Sequence, residues 1–236
     1  MSSSTEKKVF KTETHLHTAE TSSCSRVSGA DFIKLYAEAG FSTVFVSDHY
    51  RRGMFRECGP DGMKTAADKQ LAGYRAAKEA GEKLGLTVLL SCEICINGND
   101  YLLYGIDEQF IGEINLGFIT APELYDMCSY LGITVIAAHP FRHERIPVLD
   151  CIHGFELVNG AANHYYINNN DKAAELAKLR PDLLTTSGSD AHHIEDVGHG
   201  GIVTETRIKT AEEYVSVLKS GLYEIIDIAP EQEQKD

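Results

Sequence analysis

Short apolar runs recur along the chain, and most of them end on a residue type that binds cations. Val9 to Thr14 reads as an extended segment that delivers His15 and His17. Ser42 to Ser47 has the continuous apolar pattern of a buried strand and ends on Asp48-His49. Leu86 to Ile96 carries Glu93, and its companion Tyr101 to Ile106 ends on Asp107, with Gly98-Asn99 between them as a hairpin turn. Ile133 to Ala138 ends on His139-Pro140, and Gly154 to Val158 on Asn159-Gly160. Asp182 to Ser187 ends on Gly188-Ser189-Asp190-Ala191-His192, and Gly201 to Thr204 with Ala211 to Ser220 completes the pattern.

Between these runs the apolar spacing turns helical. Ser28 is placed to cap a helix over Ala30 to Ala39, and Gly40 to end it. Ala67 to Leu84 has alanines and charges at helical spacing, Pro122 suits the first turn of a helix over Glu123 to Leu131, and Pro181 closes one over Asn168 to Leu179. Strands alternating with helices predict parallel βαβ units. Candidate ligands follow the strands, which is where a β/α barrel places its chemistry. The expected fold is an irregular β/α barrel of about seven strands. It is expected as one domain over residues 9–228, between a polar, frayed N-terminus at 1–8 and a polar tail at 229–236. The long Gly- and Arg-containing loop from Tyr50 to Lys64 is expected to act as a lid.

Composition narrows the class. A chain of 236 residues with 43% apolar and 24% charged content is ordinary for one soluble domain with a sizeable core. A net charge of -13 argues against nucleic acid as partner. It leaves room for a small phosphorylated substrate, because two or three divalent ions would add roughly four to six positive charges at the site itself. The six cysteines are scattered and are expected as reduced thiols in a cytoplasm; Cys92 and Cys95, although spaced C-x-x-C, lie in an apolar strand without a second pair. No apolar run is long enough to span a membrane, and the polar start lacks the apolar region of a secretory leader.

In a strand, residues two apart share a side, so His15 and His17 aim two imidazoles at one point. The full candidate ligand set is His15, His17, His49, Glu93, His139, Asp190 and His192. Imidazole and carboxylate without thiolate suit Zn, Mn or Fe in an open catalytic site. Seven ligands exceed what one ion takes, and Glu93 is the natural bridge between two. A Glu inside an apolar strand is costly to bury unless paired or bound to a cation. Arg142, three residues after His139, is the first choice for a flat, bidentate contact to substrate phosphate, ahead of Arg26, Arg51 and Arg52.

The order H-x-H, D-H, a strand Glu, H-P and S-D-A-H, from about Glu13 to Gly198, resembles the PHP (polymerase and histidinol phosphatase) family. The resemblance implies a distorted (β/α)7 TIM-like barrel and a phosphoesterase with two or three divalent ions. It implies that His15, His17, Glu93 and Asp190 hold one ion, Glu93 and His139 a second, and His49 and His192 a third. The expected reaction is in-line attack on phosphorus by a metal-bound hydroxide, with Asp190 anchoring an ion and accepting a proton and His192 or His49 protonating the leaving alkoxide. The chain departs from the family's histidinol-phosphate phosphatases at two places. Ser23, beside Cys24, stands where they carry a further His, and Asp107 where they carry another. Asp48 is a candidate for orienting an imidazole, and Glu20 and Cys24 are loop residues near the expected third ion. Two other readings are an amidohydrolase-like enzyme cutting an amide or ester, and a non-catalytic accessory barrel of the kind attached to bacterial DNA polymerases.

Overall fold

The computed structural model describes residues 8–50, 62–113, 118–161 and 166–228. In chain order these form β1 (Phe10–Glu13), α1 (Gly29–Glu38), β2 (Phe41–Val46), α2 (Gly62–Gln70), α3 (Ala72–Leu84), β3 (Thr87–Ile96), β4 (Asn99–Tyr104), α4 (Glu108–Glu113), α5 (Ala121–Leu131), β5 (Thr134–Ala137), β6 (Gly154–Asn159), α6 (Asn170–Leu179), β7 (Leu184–Gly188), β8 (Gly200–Thr204), α7 (Ala211–Ser220) and β9 (Glu224–Asp227). Local chemistry sets the ends. Ser28 Oγ accepts from Asp31 N at 3.1 Å to start α1. Thr120 and Glu123 form a reciprocal capping box at α5, and Gly132, at φ 74°, closes that helix in the left-handed conformation that favours glycine.

Alternation along the strands divides the core in two. In β2, Val44 and Val46 belong to one buried cluster and Phe45 to the other. β4 and β5 split likewise, with Tyr101, Leu103, Val135 and Ala137 on one side and Leu102, Tyr104 and Ile136 on the other. The first cluster also takes Phe32, Ile33, Tyr74, Ala77, Leu124 and Leu176 from the helices, so it fills the layer between sheet and helices. The second is the inside of the curved sheet, and α7 closes it with Tyr214 and Leu218.

The nine strands of the described residues form one sheet in the order β7-β6-β5-β4-β3-β2-β1-β8-β9. Its two ends approach where Ser187 Oγ donates to Ile226 O at 2.9 Å, giving the distorted, nearly closed TIM-like barrel that the sequence predicts. The expected count of about seven strands is short. β9 was not anticipated, since Glu224-Ile225-Ile226-Asp227 is too short to show a period. The helix expected over Ala67 to Leu84 is two helices, broken at Leu71.

Two strands run backwards: β4, and β8, which pairs antiparallel with both β1 and β9. β4 pairs antiparallel with both β3 and β5, whereas β1, β2 and β3 pair in parallel, as do β5, β6 and β7. The reversal of β4 is made at Asn97-Gly98, both at positive φ (52° and 82°), the signature of a two-residue hairpin loop of the primed type. The start of β4, not its end, therefore lies with the carboxyl ends of its neighbours. The bounds expected at 1–8 and 229–236, the lid expected over Tyr50 to Lys64, Arg51 and Arg52 fall largely or wholly outside the described residues.

Candidate metal centre

The H-x-H segment extends β1 and is pinned from both sides. His17 N donates to Ala191 O at 3.1 Å, and Ser47 N to Leu16 O at 2.9 Å. Beneath it lies Glu13, fully buried, which accepts from His15 N and Ser189 N at 2.9 Å each, from Tyr36 OH at 2.7 Å and from Ser189 Oγ at 2.5 Å. One carboxylate thus locks the two ligand-bearing turns together. The two imidazoles converge as the spacing predicts, their Nε2 atoms 2.9 Å apart.

Glu93 is the hub. Its Oε2 lies 2.7 Å from His49 Nδ1 and 3.5 Å from His17 Nε2; its Oε1 lies 3.1 Å from His139 Nε2 and 3.5 Å from His15 Nε2. Asp190 faces it across the cluster, with Oδ1 at 3.4 Å and 3.2 Å from His15 Nε2 and His17 Nε2. The His17 ring lies 4.4 Å from that of His192 and 4.2 Å from that of His49, centroid to centroid, and the His49 and His192 rings are 6.1 Å apart. His139 and Asp190 both sit at positive φ (31° and 51°), a region few non-glycine residues enter and which clusters at functional sites.

Several residues of the site, buried or partly buried, belong to no motif. Glu156, in β6, accepts from His15 Nδ1 at 2.9 Å, from His139 N at 2.8 Å and from Asn159 Nδ2 at 2.9 Å. A carboxylate holding Nδ1–H of His15 leaves Nε2 free to face an ion. The signal was present: Glu156 is a Glu inside an apolar strand, as Glu93 is. Asp100, at the start of β4, reaches Glu93 and His139. Among the described residues His139 Nδ1 is buried without a hydrogen-bond partner, 3.9 Å from Asp100 Oδ2. Arg142 donates to Asp190 Oδ2 at 2.5 Å, to Asn159 Oδ1 at 2.9 Å and to Asn168 Oδ1 at 2.8 Å, and its guanidinium lies 4.2 Å from the Tyr166 ring centre.

The charges are mutually compensating. Burial works against ionised Asp190, but the His15 and Arg142 charges hold its carboxyl well below the usual range. Burial likewise opposes ionised Glu93, and the charges of His49 and His15 outweigh it. Burial alone would discharge His15 and His49, yet Asp190, Glu156 and Glu93 around the first, and Glu93 beside the second, raise both well above an ordinary imidazole. His17 goes the other way, lowered by burial and by the His49 and His192 charges. A bound divalent ion would take the place of protons on the ligand nitrogens. Three sets bring their ligand atoms within 4.8 Å of one another: His17, His49 and His192; His15, His17 and Glu93; Glu93, Asp100 and His139. The donor set and the orphaned His139 nitrogen both fit bound divalent ions. A cleft of about 160 Å³ opens onto the cluster, lined by His49, Glu93, Asp100, His139, Arg142, His143, Arg145, Tyr166, Asp190 and His192.

All seven sequence-predicted ligands meet here. Asp48 does not touch an imidazole directly; it accepts from Thr18 N at 2.7 Å and from Ser22 Oγ at 2.6 Å, and Ser22 Oγ lies 3.4 Å from His17 Nδ1. Cys24 contacts His192 and His49, and although burial raises its thiol, those contacts lower it to about 6. Glu20 instead accepts from Gly29 N at 2.9 Å, at the start of α1. Asp107 accepts from Phe110 N at 2.7 Å and borders a different groove. His193 and His199 do not border the cleft, whereas His143 does.

The barrel thus carries, at its strand ends, a cluster of imidazoles and carboxylates that could hold cations. Residues 168–222 match the family model described as PHP-associated. A two-domain protein from Bacteroides vulgatus, containing a predicted PHP-like metal-dependent phosphoesterase, superposes with a TM-score of 0.63 at 13% identity over 94% of this chain. The chain spans 65% of that protein. A proposed metal-dependent phosphoesterase from Bifidobacterium adolescentis gives 0.51 at 16% identity, over 80% of this chain and 90% of that one. An amidohydrolase from Chromobacterium violaceum, with sulfate bound and no metal, gives 0.54 at 14% identity, over 95% and 99%. No curated protein matches the chain by sequence. The PHP-associated match is confined to residues 168–222, and the likeness to these solved structures shows a shared fold.

Proposed function

We propose that the protein is a metal-dependent phosphoesterase acting on a small phosphomonoester or phosphodiester. The observation that carries this reading is Glu93, a buried carboxylate with four imidazoles within 3.5 Å and Asp190 opposite. His15, His17, Glu93 and Asp190 would hold one ion, Glu93 and His139 a second, and His49 and His192 a third. Divalent ions in such a cluster supply Lewis acidity and an activated water. Zn, Mn and Fe all suit these ligands.

The chain's own groups do the rest. Glu156 fixes the His15 tautomer, and Arg142 holds the Asp190 carboxylate, which would take a proton from water. Arg142 and Arg145 line the cleft and present positive charge to a phosphate. His192 and His49 line the cleft and would protonate a leaving alkoxide. The shared fold of the Chromobacterium violaceum amidohydrolase favours one second reading, the same cluster acting on an amide or ester carbon.

The test is direct. Purified protein is analysed for metal and assayed on p-nitrophenyl phosphate, bis-p-nitrophenyl phosphate and a panel of amides and esters, with and without chelator. Phosphate ester turnover is expected to require metal and to fall by at least about 100-fold in Asp190→Ala. Full activity in metal-free protein refutes the mechanism. Turnover of amides alone favours the second reading, and unchanged turnover in Asp190→Ala shows that the cluster is not catalytic.

A further inference from the structure

Asp100 has two claimants. Its Oδ2 accepts from Arg145 Nη1 at 2.6 Å, and the same oxygen lies 3.9 Å from His139 Nδ1. His139 is 3% exposed and that nitrogen has no hydrogen-bond partner among the described residues. A buried imidazole nitrogen left unpaired costs free energy, so its persistence asks for a missing partner. The gap is about twice a metal–ligand bond of roughly 2 Å, and Glu93, Asp100 and His139 each bring a ligand atom within 4.8 Å of the other two.

Arg145 differs from Arg142 in how it is held. Arg142 is buried, with three side-chain acceptors and an aromatic ring against it. The Arg145 side chain is 35% exposed on the rim of the same cleft. A partly exposed ion pair contributes on the order of 1 kcal/mol or less, so little holds the guanidinium on Asp100. A divalent ion beside that carboxylate would neutralise it and repel the guanidinium.

We infer that a divalent cation and Arg145 compete for Asp100. A cation held by Glu93, Asp100 and His139 displaces the Arg145 guanidinium into the cleft, where it binds an oxyanion of the substrate opposite Arg142. Cation loading thereby creates half of the anion site, and phosphate binds the loaded protein in preference to the empty one. The inference rests on the metal-dependent reading above but concerns binding, not turnover.

The experiment uses the full chain, stripped of metal, then loaded with Mn²⁺ and desalted. Manganese affinity and stoichiometry, and affinity for inorganic phosphate, are measured by calorimetry and elemental analysis for wild type, Asp100→Asn and Arg145→Gln. Asp100→Asn is expected to lose one tightly bound ion per chain. Arg145→Gln is expected to keep that ion and to bind it more tightly, its competitor gone, while phosphate affinity of the loaded protein falls about tenfold or more. In wild type, phosphate affinity rises on loading by a similar factor. Arg145 lies at the rim, so its variant tests the coupling even if Asp100→Asn folds poorly. Unchanged manganese and phosphate affinity in Arg145→Gln overturns the proposal, as does an unchanged ion count in folded Asp100→Asn. If these shifts appear but no phosphate ester is cut, the coupling stands and the proposed activity falls.

Discussion

Asp48 shows how much the H-x-H loop leans on one carboxyl group. It is 2% exposed and gathers Thr18 and Ser22 around it, with Ser22 passing the contact on to His17. Burial pushes its pKa up from 3.8 to about 6, even though the hydrogen bonds from Ser22 and Thr18 pull the other way. A carboxyl group that binds its proton more tightly in the native state favours folding at low pH. That contribution is complete below about 4 and is lost as pH rises through about 6, a change of roughly 3 kcal/mol. Asp48→Asn cannot titrate. Urea unfolding of metal-free protein should therefore show wild type losing stability relative to Asp48→Asn between pH 4 and pH 7. A difference that does not change with pH would mean that the group titrates alike in both states. At this scale the sequence is informative wherever chemistry demands a residue type: His15, His17, His139 and His192 each fall in a motif at a strand end. It is silent on Arg145, whose role comes from where the chain has brought its neighbours, and a polar residue in a loop carries no mark of that.

Between elements, the site depends on close approach as much as on ligands. Gly73, at the second position of α3, lies against the H-x-H loop. A Cβ there would stand 1.7 Å from Thr18 Oγ1 and 2.7 Å from Asp48 Oδ2. Its N–H also donates to Thr21 Oγ1 at 3.2 Å. Gly73→Ala must therefore push the helix away or break the Thr18–Asp48 pair. It should cost roughly 1–3 kcal/mol in chemical unfolding and lower metal-dependent turnover with it. Gly112, in α4, meets nothing within 4 Å among the described residues, and Gly112→Ala is the matched control, neutral or slightly stabilising. Equal effects of the two substitutions would show that the α3 contact does not set the site. The pattern of apolar runs predicts most of these elements, but it cannot give a strand's direction. A hairpin at Gly98-Asn99 was legible; that it makes β4 antiparallel on both sides was not. The expectation that every ligand follows its strand pointed to Asp107, whereas the reversal brings Asp100 to the cluster and sends Asp107 to the start of α4.

For the whole molecule, the cluster is a knot tied across the barrel. Its side chains come from the ends of β1, β2, β5 and β7, from within β3 and β6, and from the start of β4, which together span most of the sheet. Ions bound there would link strands far apart in sequence, and they would add positive charge to a chain of net charge -13. An ion that binds the native state and not the unfolded chain stabilises it by about 2.7 kcal/mol at 100 times its dissociation constant. For a domain of this size, that corresponds to a rise in melting temperature of roughly 5–10 °C. Chelation should lower the melting temperature by about that amount, and Mn²⁺ or Zn²⁺ should restore it. The recovery should shrink in Glu93→Gln, because that carboxylate belongs to two of the three candidate ion groups. Such a variant also removes a buried charge whose partners are imidazoles, so in chelator its melting temperature can move either way. The decisive quantity is the metal-dependent increment, taken within each protein. An increment near zero in wild type would mean that the imidazoles and carboxylates hold one another without a cation, and that the barrel's mouth is closed by their own ion pairs.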